Sequence, residues 1–501
     1  RDLHGSEHSF PTRRSSDLVD ATMIGLARDI PMFRQTIAEF VTGKPDALLL
    51  VEFAEEDPSL HPQKLRELDE MMGDLGFSWS GTGANWGGMT AVSDPKMQAR
   101  IADLRSSGLN IMMSMKSDGK PVSFVEDCAV PLEHLADFTG QLTDVFHKHG
   151  TDGTWYAHAS VGLLHVRPVL NLRQDLGLRQ MRAIAEEAFD LVSKFKGSHS
   201  GEHGDGIVRS EFHERMYGSK MIRIFETVKD RFDPNAVLNP GKITRSPKMD
   251  ERAITRWPKN YSPQTPDTVF DWNAWPGGLA GAVEMCNNNG ACRKSVGGVM
   301  CPSFRVTGAE KDLTRGRANV LRLALTGQLG DDAFASDDMA DAMALCVGCK
   351  ACKSECPMSI DMAKMKTEVQ SARAAKYGVP MREKLIAALP RMAPIASAFS
   401  PLSNFALKFG HLFGFDKTRR LPDFQKPYSG PEGGDVLLFA DTFNRHFDPE
   451  TLRAAERVIS ATGKTVGVIS APGRPLCCGR THLSTGQTDR AKQELQRTTD
   501  A

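Results

Sequence analysis

The feature that most constrains this chain is the run Cys346-Val-Gly-Cys349-Lys-Ala-Cys352-Lys-Ser-Glu-Cys356-Pro357. Thiols spaced C-x2-C-x2-C-x3-C and closed by proline suit [4Fe–4S] ligation, in which three thiolates wrap one cubane and the fourth reaches across to another. A structural zinc site needs only four ligands and has no use for the trailing Cys-Pro. A partner run precedes it, with Cys286, Cys292 and Cys301-Pro302. Asn289 stands there in the place of the middle cysteine, and the gap from Cys292 to Cys301 is longer than usual. By crossed ligation, one cluster takes Cys346, Cys349, Cys352 and Cys301. The other has only Cys286, Cys292 and Cys356 as thiolates. It is therefore a three-iron cluster, a four-iron cluster with a non-thiolate ligand, or one completed elsewhere.

The chain has ten cysteines, and seven of them fall between Cys286 and Cys356. A dense run with short gaps points to metal ligation in a reducing compartment, whereas scattered pairs would point to disulfides. The expected location is the cytoplasm or the inner face of a membrane. Formal net charge is zero, so no overall field favours a polyanion, and nucleic acid is not an expected partner. No run of eighteen apolar residues predicts a transmembrane helix, which leaves peripheral membrane contact as the most that is expected.

Residues 1–18 are polar and without period. They read as translated adapter or vector sequence and are set aside as a non-native extension. From 19 to 245 the pattern is mixed. Helical spacing covers Met23–Val41, Leu132–Phe146, Met181–Phe195 and Met221–Phe232, with β-like runs at Ala47–Phe53, Val122–Glu126 and Trp155–Ala159. The expectation is an α+β domain. A linker over 246–275 leads to a mainly helical two-cluster ferredoxin-like domain over 276–368. Over 369–430 a helical linker is interrupted by Pro390, Pro394 and Pro401. Residues 431–501 open with strand, helix and strand, the start of an α/β cysteine-rich domain carrying Cys477-Cys478-Gly479.

Two segments gather histidines: His158-Ala-Ser-Val-Gly-Leu-Leu-His165-Val-Arg167-Pro168, and Gly201-Glu202-His203-Gly204-Asp205-Gly206. Glycines on both sides of Glu202-His203 let the backbone approach a ligand closely. Two histidines and a carboxylate form an open site for zinc or a similar ion, which would lower the pKa of a bound hydroxyl. A free imidazole beside it can accept the proton. On residue types alone, a polar structural cluster fits equally well.

Together with FVEDCAVP (Phe124–Pro131), the closing FDPNAVLNPGK and the cysteine run, these motifs make the chain from about Val19 onward resemble the C-terminal part of the FAD-linked oxidases of the vanillyl-alcohol oxidase superfamily. The similar group holds D-lactate and D-2-hydroxyglutarate dehydrogenases, in the long bacterial form fused to a ferredoxin domain and a CCG-type cysteine-rich domain. That resemblance implies a substrate and metal domain first and an electron wire after it. It makes His158, His165 and Glu202 ligands of zinc or manganese, and His203 the catalytic base. Arg105 and Arg167 would bind the substrate carboxylate, Asn239 would lie at the flavin edge, and Cys477 and Cys478 would be CCG ligands. The implied reaction is FAD-dependent oxidation of a D-2-hydroxy acid, with electrons leaving through the clusters to a quinone, cytochrome or flavoprotein. No glycine-rich pyrophosphate loop occurs in the chain, which looks truncated at both ends. A pure iron–sulfur electron-transfer subunit with a docking domain, or an inactive fragment, are the alternative readings.

Overall fold

The computed structural model describes residues 13–469, 471 and 474–501. Internal packing divides the chain into two units. The first runs to residue 262 and includes 285–291 and 353–360. The second comprises 263–284, 292–352 and 361–501.

In the first unit, five strands form one antiparallel sheet in the order Ala47–Ala54, Arg13–Asp20, Tyr156–His158, Leu163–Leu164, Cys128–Ala129. Side chains alternate across a strand, so Ala157 and Leu164 point to one face while Tyr156, His158, Leu163 and His165 share the other. The first face meets the helices Leu135–Lys148 and Asp175–Lys194. Those helices bury Phe138, Leu142 and Phe146, and Met181, Ile184, Ala188 and Val192, at three- and four-residue spacing. Each such side chain larger than alanine is worth roughly 1.5–3 kcal/mol of burial. The sheet is thereby fixed from behind, and its histidine face is left for chemistry.

Four expectations change. Arg13–Leu18 are not outside the fold: they pair along Ala54–Leu49, while residues 1–12 lie outside the described residues. Ladder bonds are made by backbone groups, which any non-proline sequence supplies, so composition and period could not announce this strand. Val122–Glu126 is not a strand, because the chain turns at Glu126-Asp127 with Asp127 at φ 71°. The helical run from Met23 is two helices, Ala21–Asp29 and Pro31–Phe40, divided where Pro31 disfavours a helical Ile30. Conversely, Pro390 and Pro394 do not divide their segment: one helix spans Met381–Ala398 with Pro390 buried in its packing.

The second unit is mainly helical. Thr314–Leu325, Asp337–Ala344 and Met362–Tyr377 bury Leu321, Leu325, Met339, Met343, Met362 and Met365. Further on, Val436–Leu438 and Val466–Val468 pair in parallel, with the helix Pro449–Ser460 between them in sequence, as the strand–helix–strand pattern predicts; Ser470 lies outside the described residues. Among the described residues no helix is long and apolar enough to cross a membrane.

Candidate active site and cluster ligands

His158 and His165 sit on opposite arms of one tight hairpin. The turn between them ends at Gly162, whose φ of 68° suits glycine and where a Cβ would lie 2.1 Å from the carbonyl oxygen of Val130. His158 stands opposite Leu163, and the His165 amide donates to Tyr156 O at 2.6 Å, so both imidazoles emerge on the same face. Their rings lie 5.0 Å apart. Tyr156 stacks at 15° on His165, and its hydroxyl accepts from Arg105 Nε at 3.2 Å.

The second half of the site arrives on the loop after Lys194. Its organiser is Asp127, a fully buried carboxylate that accepts from the backbone amides of Gly201, Glu202 and His203 at 2.9, 2.8 and 2.9 Å. Three convergent N–H groups make a backbone nest with a carboxylate at its centre. Gly201 sits in a close approach: a Cβ there would meet Leu163 Cδ1 at 2.4 Å and Asp127 O at 3.2 Å. Arg209 closes the arrangement, donating to Glu126 O at 2.6 Å and to Gly204 O, with Asp127 Oδ2 3.6 Å away.

Held in this way, Glu202 Oε1 lies 3.3 Å from His158 Nε2 and 3.2 Å from His165 Nε2. His203 stacks on His165 with centroids 4.6 Å apart, and its Nε2 is 3.5 Å from Glu202 Oε1. Its side chain is 39% exposed, the most accessible of the three imidazoles. Burial pushes His165 down to about 3, so at neutral pH its ring is an uncharged donor. His158 moves the other way, because Asp17 accepts from its Nδ1 at 2.6 Å. Asp127 also lies within ligand distance of His165, Glu202 and His203, but its oxygens already receive the three amides.

The predicted residues therefore divide. His158, His165, Glu202 and His203 converge, and Arg105 approaches them through Tyr156. Arg167 is buried and engaged by Ser123 Oγ at 3.0 Å and by the Glu126 carboxylate. Asn239, at φ 47°, is exposed in the loop after Phe232 and accepts from Lys242 Nζ at 3.4 Å. Sequence reasoning missed Asp127, Glu126, Tyr156 and Arg209. The one signal available was the acidic pair within FVEDCAVP, which carries no spacing rule of its own.

In the second unit, Cys301, Cys346, Cys349 and Cys352 line one cavity, the set expected of a single crossed cluster. Their chemistry fits iron–sulfur ligation: four thiols converge, and Arg317, fully buried, aims Nη1 at Cys301 Sγ from 3.7 Å. Burial holds the Cys352 thiol up at about 12, a cost that thiolate ligation to a cluster would offset. Of the remaining thiols, Cys286 and Cys356 pack within the first unit and Cys292 within the second; all three are buried. Asn289 makes an Asx turn, accepting from the Ala291 amide at 2.8 Å. Buried Cys477 and exposed Cys478 are adjacent free thiols, and their hydrogen bond holds Cys478 down at about 6. Removing the Arg317 charge by Arg317→Gln is expected to lower the reduction potential of a cluster on these four thiols by on the order of 60 mV, one tenfold step for a one-electron couple. Arg317→Lys should restore most of it in an EPR-monitored redox titration; an unchanged potential in the Gln variant would remove Arg317 from tuning.

Comparison with known proteins accords with this geometry. Residues 15–243 match the family "FAD linked oxidases, C-terminal domain", and residues 282–360 match the "4Fe-4S dicluster domain". The chain is similar to D-2-hydroxyglutarate dehydrogenase of Escherichia coli K12, at 28% identity over 78% of this chain and 41% of the relative. It is similar to the enzyme of that name from Pseudomonas putida, at 25% identity over 92% of this chain and 51% of the relative. D-lactate dehydrogenase of Anaerostipes hadrus is 30% identical over 23% of this chain and 25% of its own length. The chain thus spans about half or less of the length of these relatives. Its first part is a C-terminal domain of the FAD-linked oxidases, and a 4Fe-4S dicluster domain follows it in the same chain.

Proposed function

We propose that this chain is the substrate and electron-wire part of a FAD-dependent dehydrogenase. It would oxidise a D-2-hydroxy acid, D-2-hydroxyglutarate or D-lactate, to the 2-oxo acid, with electrons leaving for a quinone, cytochrome or flavoprotein. The observation that carries this reading is the approach of two imidazole nitrogens to one oxygen of Glu202, at 3.3 and 3.2 Å, beside the accessible ring of His203. The names of the relatives support the class of acid.

His158, His165 and Glu202 are the donors for a divalent ion, zinc or manganese. When bound, that ion supplies Lewis acidity, FAD takes up two electrons, and the clusters carry electrons singly. His203 receives the hydroxyl proton, and Glu126 Oε1 and Glu202 Oε1, at 3.6 and 3.5 Å from its ring nitrogens, stabilise the resulting imidazolium. Arg105 binds the substrate carboxylate beside the Tyr156 hydroxyl. Arg167 acts through Glu126, which it anchors within the fold. Asn239 belongs to the flavin edge, and Cys477 and Cys478 are the first thiols of a CCG site.

His165→Ala is expected to remove one equivalent of bound zinc or manganese while leaving the iron and sulfide content unchanged, measured by elemental analysis after chelation and reloading. Full retention of that equivalent would refute the site.

A further inference from the structure

A second constellation lies on the far side of the same loop. His199 has no accessible surface, and its ring packs edge-on against Phe189 with centroids 5.3 Å apart. Its Nε2 is 3.5 Å from Asp205 Oδ1. The other oxygen of that carboxylate, Oδ2, is 2.9 Å from Nε2 of His213, also buried, at the start of the helix His213–Phe232. The three donors all lie within 4.8 Å of one another.

The hydrogen-bonding arithmetic leaves this group incomplete. Neither ring nitrogen of His199 has a hydrogen-bond partner among the described residues, and nor does Asp205 Oδ1. His213 Nδ1 lies 3.2 Å from Ile243 O, a carbonyl that can only accept, so that nitrogen carries the hydrogen. His213 Nε2 faces Asp205 Oδ2 from 2.9 Å yet makes no hydrogen bond among the described residues. A histidine whose outer nitrogen is held by a backbone carbonyl and whose inner nitrogen faces a carboxylate is oriented as metal-ligating histidines are. Arg209 does not complete the group: its two Nη atoms donate to Glu126 O and Gly204 O, and its Nε stays 3.6 Å from Asp205 Oδ1, too far for a hydrogen bond.

We propose that His199, Asp205 and His213 bind a second divalent cation of the zinc class, separate from the ion assigned to His158, His165 and Glu202. Two imidazoles and one carboxylate favour a borderline ion over calcium or magnesium, which prefer all-oxygen shells. Both histidines are buried and Asp205 is half-buried, so the bound ion is structural. It ties the Gly201–Gly206 loop, and with it Glu202 and His203, to the helix that begins at His213.

The test loads the chelator-stripped, cluster-containing chain with zinc, removes excess ion, and counts zinc, iron and sulfide per chain. Two zinc per chain are expected. His165→Ala and His213→Gln should each retain one, and the double variant none. If zinc content is the same with and without His213→Gln, or with and without His199→Gln, the second site does not exist. Loss of one zinc on His165→Ala is scored separately and reports only on the first site. X-ray absorption on the His165→Ala protein needs no change at the proposed site. A nitrogen and oxygen shell near 2.0–2.1 Å is expected there. A shell dominated by sulfur near 2.3 Å would assign the ion to cysteines and overturn the proposal.

Discussion

Asp127→Ala is expected to cost about 3–5 kcal/mol of stability in the first unit, because it strips a buried charge from its partners. Three backbone amides, those of Gly201, Glu202 and His203, lose their acceptor together, and Arg209 loses a carboxylate 3.6 Å away. Each orphaned donor adds a desolvation penalty of roughly 1–3 kcal/mol unless the loop swings out to water. That escape is the more damaging outcome for function, because the loop carries Glu202 and His203. In a full-length enzyme the rate of flavin reduction should fall at least about 100-fold, the usual result of moving a reacting group by about 1 Å. Asp127→Asn keeps one acceptor oxygen and should fall between the two. Thermal unfolding, with divalent metal content measured on the same samples, checks the claim; an unfolding midpoint and metal content unchanged in the Ala variant would show that the loop is held by something else.

His203→Ala in a full-length version should reduce flavin reduction by D-2-hydroxyglutarate or D-lactate by about 10²- to 10⁴-fold, the ordinary contribution of a positioned general base. Unlike the Asp127 change, it should leave the fold and the metal content intact. The His203 side chain is exposed, and its position is set by its own backbone amide, not by its ring. The loss should appear in the rate of reduction, with little change in the concentration of acid that half-saturates it. Near-normal reduction kinetics would remove His203 from proton transfer and leave Glu126 as the next group to test.

The gap between what was legible in the sequence and what was not follows the range of the interactions. Cys346, Cys349 and Cys352 declare themselves because cluster ligation imposes a local spacing, and Cys301 followed from the crossing rule. The hairpin of His158 and His165 lies within eight residues, so its chemistry could be read there once the motif was recognised. Asp127 was invisible as an organiser because its three partners lie more than seventy residues downstream and donate through backbone, which has no letter in a sequence. Val122–Glu126 reads as a strand because Val122, Phe124 and Val125 are β-branched or aromatic, yet the left-handed turn at Asp127 overrides that propensity. Arg13–Leu18 enters the sheet through ladder bonds made by backbone, which no side-chain period announces. Arg317 looks like an ordinary surface cation until its burial is known.

The Gly162 turn also limits how this site can vary. With the carbonyl of Val130 filling the space where a side chain would begin, the hairpin has one length and one register. An insertion of a single residue between His158 and His165 would rotate one arm by half a pleat and send His165 into the packed helices, with Leu164 exposed in its place. Variation on this scaffold is therefore confined to the loops around the hairpin, while the distance between its two imidazoles behaves as a constant of the fold.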